Sequence, residues 1–209
     1  MRDGTTGLHR VVVVGNTGSG KTTLAKHLAA ILRVPHVELD ALFWEPNWTP
    51  ARAEVFRERV GAALGGPGWV VDGNYSKVRD LVWGRADTLI WLNYPLWVNL
   101  WRLLRRSIWR SLWQPDLWNG NRERLRNQFL SWDSLFVWAV KTSRRRRREY
   151  RRLLNEREYA QLRVVQLFSP SQTRRWRAGM TTLAASHRNL GPASPLYPGE
   201  ALAREAPLQ

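Results

Sequence analysis

The stretch VVVVGNTGSGKT, residues 11 to 22, constrains this chain more than any other: a run of valines enters a glycine-rich turn that ends in lysine and threonine. Gly15, Asn16, Thr17, Gly18, Ser19, Gly20, Lys21 and Thr22 fit G-x-x-x-x-G-K-[ST]. The β-branched run before the turn reads as a buried strand. Leu24, Leu28 and Ile31 after it fall on one helical stripe, so the turn sits at a strand-to-helix junction. Glycines at 15, 18 and 20 let the backbone curl with its N–H groups pointing inward, and the helix N-terminus adds partial positive charge. The result is a cradle for phosphate oxygens. Gly15 through Thr23 are the expected nucleotide contacts, with Lys21 reaching the terminal phosphates and the Thr22 hydroxyl ligating magnesium. ATP and Mg2+ are the expected cofactors.

Further apolar runs at Pro35–Leu39, Trp69–Val71, Thr88–Leu92 and Val164–Leu167 alternate with helical patterns. That alternation predicts an α/β fold, a three-layer sandwich with a five-stranded parallel sheet and helices on both faces. A helix is expected from a Thr49 cap and a Pro50 first turn to about Leu64, ahead of the breaker GGPG. Residues 95–155 form a connection longer than one crossover needs and are expected to hold an inserted helical lid. One domain over residues 1–186 accounts for the pattern, followed by a Pro-, Gly- and Ala-rich tail over 187–209 that is expected to be mobile.

Two carboxylates stand at the ends of predicted strands. Asp72 closes WVVD, where it is expected to help hold magnesium, and Asp40 follows HVEL. In an open parallel sheet this is the edge at which ligands bind. Along Pro95–Trp113, Trp97, Leu100, Trp101, Leu104 and Ile108 share one helical face and Arg102, Arg106 and Arg110 the other. The apolar side is expected to pack, and Arg102 and Arg106 to swing over the phosphates, with Arg122 and Arg124 behind them. Trp44 and Trp48, in the loop after Asp40, either pack or wall an acceptor pocket. Trp109 and Trp113, near the basic face, either pack or stack on the bases of a single strand.

These motifs, GNTGSGKTTLAKHLA, PHVELDALFWEPNW, WVVDGNY, RADTLIWLNYP and LWNGNRER, resemble in this order the adenylate-kinase-like and shikimate-kinase-like P-loop kinases. They are most similar to the small bacterial proteins labelled AAA-family ATPases or DNA topology modulation proteins. The resemblance covers most of residues 10–170 and implies an acceptor-binding segment after the second strand and a lid between the fourth and fifth. It implies that Asp40 faces the acceptor and that Asp72-Gly73 assists magnesium. The chain departs from the nucleoside monophosphate kinases at Asn74-Tyr75-Ser76, where they have Phe-Pro-Arg, and Arg79 is the next arginine available.

Two functions remain open on this reading. One is a magnesium-dependent kinase that moves the γ-phosphoryl of ATP to a nucleotide or metabolite. The other is a nucleotide-dependent nucleic-acid-binding or regulatory ATPase, for which the net charge of +16 and the run Arg144–Arg148 are the candidate grip. A motor-type ATPase is disfavoured by the lack of an apolar run ending in paired acidic residues. The absence of cysteine excludes disulfides and a thiol nucleophile, and no stretch approaches the roughly 20 apolar residues that span a bilayer. A cytoplasmic location is the corresponding expectation.

Overall fold

The valine run expected to be a buried strand is the middle strand of the sheet. In the computed structural model, β1 (Arg10–Gly15) pairs in parallel with β5 (Trp69–Asp72) on one side and β6 (Thr88–Leu92) on the other. Outside them lie β2 (His36–Glu38) and β7 (Arg163–Leu167), giving the order β2-β5-β1-β6-β7. The structure describes the backbone of residues 8–113 and 132–190 and the side chains of residues 8–105 and 143–182. Among the described residues no helix is long and apolar enough to cross a membrane.

A strand covered on both faces sends alternate side chains to opposite cores. Val11 and Val13 pack with Leu24, Ala25, Leu28 and Ala29 of α1 (Lys21–Leu32) and with Trp176 and Met180 of α7 (Pro170–Leu190). Val12 and Val14 pack on the other side with Phe56 and Val60 of α3 (Ala53–Ala63), Val82 and Trp83 of α4 (Arg79–Trp83), and Tyr150 and Leu153 of α6 (Trp132–Leu154). Each such aliphatic side chain contributes about 1.5–3 kcal/mol relative to exposure. Ile31, expected on the buried stripe of α1, is only partly covered, and the alanines take up the contact.

The start of β1 is fixed from β6. The Asp87 carboxylate accepts from the amides of His9 and Arg10 at 2.9 and 2.6 Å, while the Asp87 amide donates to the Arg10 carbonyl. These bonds set the register of the central strand at its entrance.

One expectation about the elements needs correction. The helix predicted from Thr49 and Pro50 begins at Ala53, because Thr49–Pro50 (β4) turns back in an antiparallel hairpin on Trp44–Glu45 (β3). The Ala51 amide donates to the Phe43 carbonyl at 2.8 Å, and Asn47 and Trp48 take left-handed φ values of 61° and 56° to make the turn. A threonine followed by proline cannot be told by sequence from a helix cap when it closes such a hairpin. Between β2 and β3 the chain forms a short helix, α2 (Leu39–Phe43). The inserted region contains α5 (Leu96–Trp113) and α6, while residues 114–131, with Arg122 and Arg124, lie outside the described residues. The last helix runs to Leu190, past the boundary expected near 186, and residues 191–209 are outside the described residues.

Leu28, fully buried between α1 and the sheet, is a direct test of this core. Leu28→Ala is expected to lower the stability by about 2–5 kcal/mol, read as a lower denaturant midpoint at unchanged slope.

Candidate active site

The glycine turn between β1 and α1 adopts the conformations its residues were expected to permit. Gly18 and Gly20 lie at φ 81° and 90°, and a Cβ on Gly18 would sit 2.5 Å from the Asn99 carbonyl oxygen of α5. The Ser19 amide donates to the Asn16 carbonyl at 3.1 Å, and Lys21 Nζ reaches the same oxygen at 3.3 Å, curling the lysine back over the loop. The Ser19 Oγ is buried without a hydrogen-bond partner among the described residues. An orphaned hydroxyl inside a phosphate-type loop fits a ligand that brings its own acceptor oxygens. Thr23 stands exposed on the first turn of α1.

Strand register gathers the carboxylates. Glu38 is paired opposite Asp72, so both reach the same sheet edge as the loop. Thr22 Oγ1 donates to Asp72 Oδ2 at 2.6 Å and lies 3.4 Å from Glu38 Oε1. Asp72 is almost fully buried, and its other oxygen is 2.8 Å from His36 Nε2. A hydroxyl and carboxylates without sulfur or converging imidazoles suit a hard divalent cation that takes its remaining ligands from phosphates and water. Among the described residues no group of three or more His, Asp or Glu side chains is arranged to hold a metal by itself. Sequence reading singled out Thr22 and Asp72 and missed Glu38 and His36. The alternation along HVELD was the available signal, since it puts His36 and Glu38 on one side of β2.

Asp40, in the first turn of α2, accepts a hydrogen bond from the Tyr75 hydroxyl at 2.5 Å. Burial pushes the Tyr75 phenol well above its ordinary range, and the adjacent Asp40 charge adds to the shift, so the phenol stays neutral and remains a donor. Asn74, next to it, grips the loop. Its Nδ2 donates to the Gly15 carbonyl at 2.5 Å, and its Oδ1 accepts from the Gly15 amide at 3.3 Å and from the Tyr150 hydroxyl of α6 at 3.0 Å. Asn74, Tyr75, Arg79, Trp83 and Tyr150 line a small cleft with Leu39 and Gly73 at its floor, and the space between them is about what one water needs. Arg79 stacks over Trp83 and donates to Glu149 of α6 at 2.6 Å. Trp44 and Trp48 meet edge to face, and neither is among the residues lining this cleft.

The inserted helices approach the loop differently from the expectation. Arg102 does reach it, donating from Nη1 to the Ser19 carbonyl at 3.1 Å with its guanidinium 6.0 Å from the Tyr94 ring centroid. The face that packs, however, carries Val98 and Asn99, Arg102 is exposed beside the loop, and Trp97 and Trp101 are 71% and 64% exposed. The correction has a physical reason. One neighbour of α5 is the polar glycine loop, whose close approach at Asn99 leaves no room for an indole ring on that face. The Arg106 side chain and those of Trp109 and Trp113 lie outside the described residues.

An arginine that sequence reading left within a charge run reaches this edge of the sheet from α6. Arg147 Nη2 donates to the Tyr94 carbonyl at 2.6 Å and to that of Asn93 at 3.5 Å, while its Nε is buried without a partner among the described residues. Burial, followed by the nearby charge of Arg151, lowers its pKa, a sign that the cation sits where an anion would relieve it. One turn earlier, Ser143 Oγ accepts from Asn16 Nδ2 at 2.8 Å. Ser143, Arg147 and Tyr150 thus form an inner stripe at helical spacing, and Arg144, Arg145 and Arg148 remain exposed.

No protein-family model matches the chain, and no curated protein matches it in sequence. Solved structures do. A gluconokinase from Sinorhizobium meliloti 1021 aligns over 91% of this chain and 99% of its own at 19% identity with a TM-score of 0.47. A shikimate kinase from Bacteroides thetaiotaomicron aligns over 85% of this chain and 98% of its own at 18% identity, TM-score 0.48. The shikimate kinase from Acinetobacter baumannii covers 86% of this chain at 18% identity, TM-score 0.42. At this distance the chemistry of the site has to be read from the chain's own residues.

Asn74 is the most economical probe of that site. Asn74→Ala is expected to weaken ATP binding by about tenfold and stability by about 1 kcal/mol, since it removes the bonds that hold Gly15. Tyr150→Phe, which spares those bonds, is expected to leave ATP affinity unchanged in the same calorimetric titration.

Proposed function

We propose that the protein is a small-molecule kinase that transfers the γ-phosphoryl group of ATP to an acceptor held over Gly73–Tyr75. The observation that carries this reading is a pair of separate carboxylates beyond the same sheet edge: Asp72 bonded to the loop threonine, and Asp40, in the first turn of α2, bonded to the Tyr75 that lines a cleft. A nucleotide-binding site alone needs only the first. The second would serve as proton acceptor for a hydroxyl-bearing molecule.

In this reading Gly15 through Thr22 cradle the phosphates and Lys21 extends from its resting contact on Asn16 to the terminal oxygens. Thr22, Asp72 and Glu38 would hold magnesium, which supplies charge neutralisation on the phosphates when bound. Asp40 exchanges its bond from Tyr75 for one from the acceptor hydroxyl. As the acceptor oxygen forms its bond to the γ-phosphorus, the hydroxyl proton passes to Asp40 and the bond to the ADP oxygen breaks. Arg102 and Arg147 would neutralise charge on the transferring group. Tyr150 and the Arg79–Glu149 pair close the cleft.

The test is transfer of labelled phosphoryl from ATP to a panel of nucleoside monophosphates, nucleosides, hydroxy metabolites and nucleic-acid ends. Asp40→Asn is expected to lower transfer by about 10²–10⁴-fold while leaving ATP affinity within about threefold, and Lys21→Ala to abolish both. Labelling that survives in Asp40→Asn would remove Asp40 from the chemistry. ATP binding with no labelled acceptor in the panel would count against the kinase reading.

A further inference from the structure

Asp72 is the one carboxylate of the site with both oxygens engaged, and one of its partners belongs neither to the loop nor to the acceptor side. His36 lies two residues before Glu38 on β2, on the same side of the strand, opposite Val70 in a register that sets Glu38 against Asp72. From there its imidazole crosses to the neighbouring strand and meets Asp72 Oδ1 at 2.8 Å, with the histidine side chain 15% exposed and the aspartate 3%. Val37, between His36 and Glu38, turns the other way into the core. The remaining oxygen, Oδ2, is the one that faces Thr22.

We propose that His36 is a positioning residue for the cation site: it pins Oδ1 of Asp72 so that Oδ2 alone is presented to Thr22 and to magnesium. The inference rests on the kinase reading above for the identity of the ion and goes beyond it in assigning a residue outside the loop. The reason lies in the ion's geometry. Magnesium demands near-octahedral ligation with short bonds and keeps several waters, so a carboxylate serves it best through one oxygen. A carboxylate free to rotate could chelate with both oxygens or turn away from Thr22. Fixing one oxygen through a hydrogen bond removes that freedom before the ion arrives. The Thr22 bond cannot do this, since it is made to the oxygen that the ion would take. Partners that orient ligating groups in this way carry large effects, about 10–100-fold in metal affinity.

The test measures ATP affinity of the full chain by calorimetry, without acceptor, as a function of magnesium concentration. His36→Met fills similar space without a donor, and His36→Gln keeps an amide N–H of comparable reach. In His36→Met the magnesium concentration for half-maximal enhancement of ATP binding is expected to rise by about tenfold or more, whereas His36→Gln stays within about threefold of the wild type. Magnesium-free ATP affinity is expected to stay within about twofold in both, which a general loss of structure would not allow. Wild-type magnesium dependence in His36→Met overturns the proposal. So does a His36→Gln variant as impaired as His36→Met, or an equal fall in magnesium-free affinity. Should His36→Met fail to fold by thermal unfolding, His36→Asn, whose shorter amide cannot span to Asp72, replaces it under the same criteria. Asp72→Asn separates the two levels. If it too leaves the magnesium dependence intact, the ion is not held at Asp72 and the cation assignment itself falls. If Asp72→Asn is impaired and His36→Met is not, only the role of His36 falls.

Discussion

The parallel register of β1 between β5 and β6 is the constraint on which the rest of the site depends. It sets Val13 opposite Asp72 and Gly15 opposite Leu92, and the register of β2 then sets Glu38 opposite Asp72. Parallel strands end together, so the glycine loop, Glu38, Asp72 and the segment Gly73–Tyr75 converge at one edge from distant parts of the sequence. Because side chains alternate with a period of two, a slip of one residue would exchange the cores on the two faces and turn Asp72 away from Thr22. The register is held at both ends of β1, by Asp87 at the entrance and by Asn74 at the exit. The asparagine extends the ladder with its side chain where the backbone of β5 has already turned aside.

Electrostatics at this edge is organised by burial more than by total charge. The chain carries a formal charge of +16, yet exposed arginines such as Arg144, Arg145 and Arg148 are solvated and screened, and each contributes little to a local field. Arg147 differs in its surroundings. Its guanidinium is held by backbone carbonyls, which orient it without neutralising it, so its charge stays available at the mouth of the loop. Arg102 is held in the same way by the Ser19 carbonyl.

Much of this was legible in the sequence where a residue's role is local. The glycine loop, the five strands and the positions of Thr22 and Asp72 follow from short patterns, because a buried parallel strand must be apolar and a phosphate cradle must be rich in glycine. What was not legible depends on what each element meets. Thr49-Pro50 has the composition of a helix start and closes a hairpin, because the Phe43 carbonyl is there to accept the Ala51 amide. Trp97 and Trp101 have the periodicity of a packed face and are exposed, because one neighbour of α5 is the polar glycine loop. Arg147 could not be distinguished from the four arginines beside it until the helix phase was fixed by Ser143 and Tyr150. His36 and Glu38 are a case between these. Their shared side of β2 is readable, but their meeting with Asp72 requires knowing that β5, distant in sequence, is the neighbour of β2.

Asn74 and Tyr75 give the departure at this point of the chain a physical meaning. An arginine-bearing segment after Asp-Gly would meet an anionic acceptor directly. Here the two residues are turned to internal use, Asn74 toward the loop and α6, and Tyr75 toward Asp40. One ends at the glycine loop and the other at Asp40, so the segment ties these two groups together through two adjacent backbone units. Tyr75 sits among Phe43 and Phe56 at ring separations of 4.7 and 5.1 Å, which leaves its phenol little freedom to follow a moving partner. A rigid donor on Asp40 keeps the carboxylate aimed. The same rigidity makes the segment a poor hinge, and α6 meets it through hydrogen bonds and a part-buried ion pair while Tyr150 and Leu153 anchor the helix in the core.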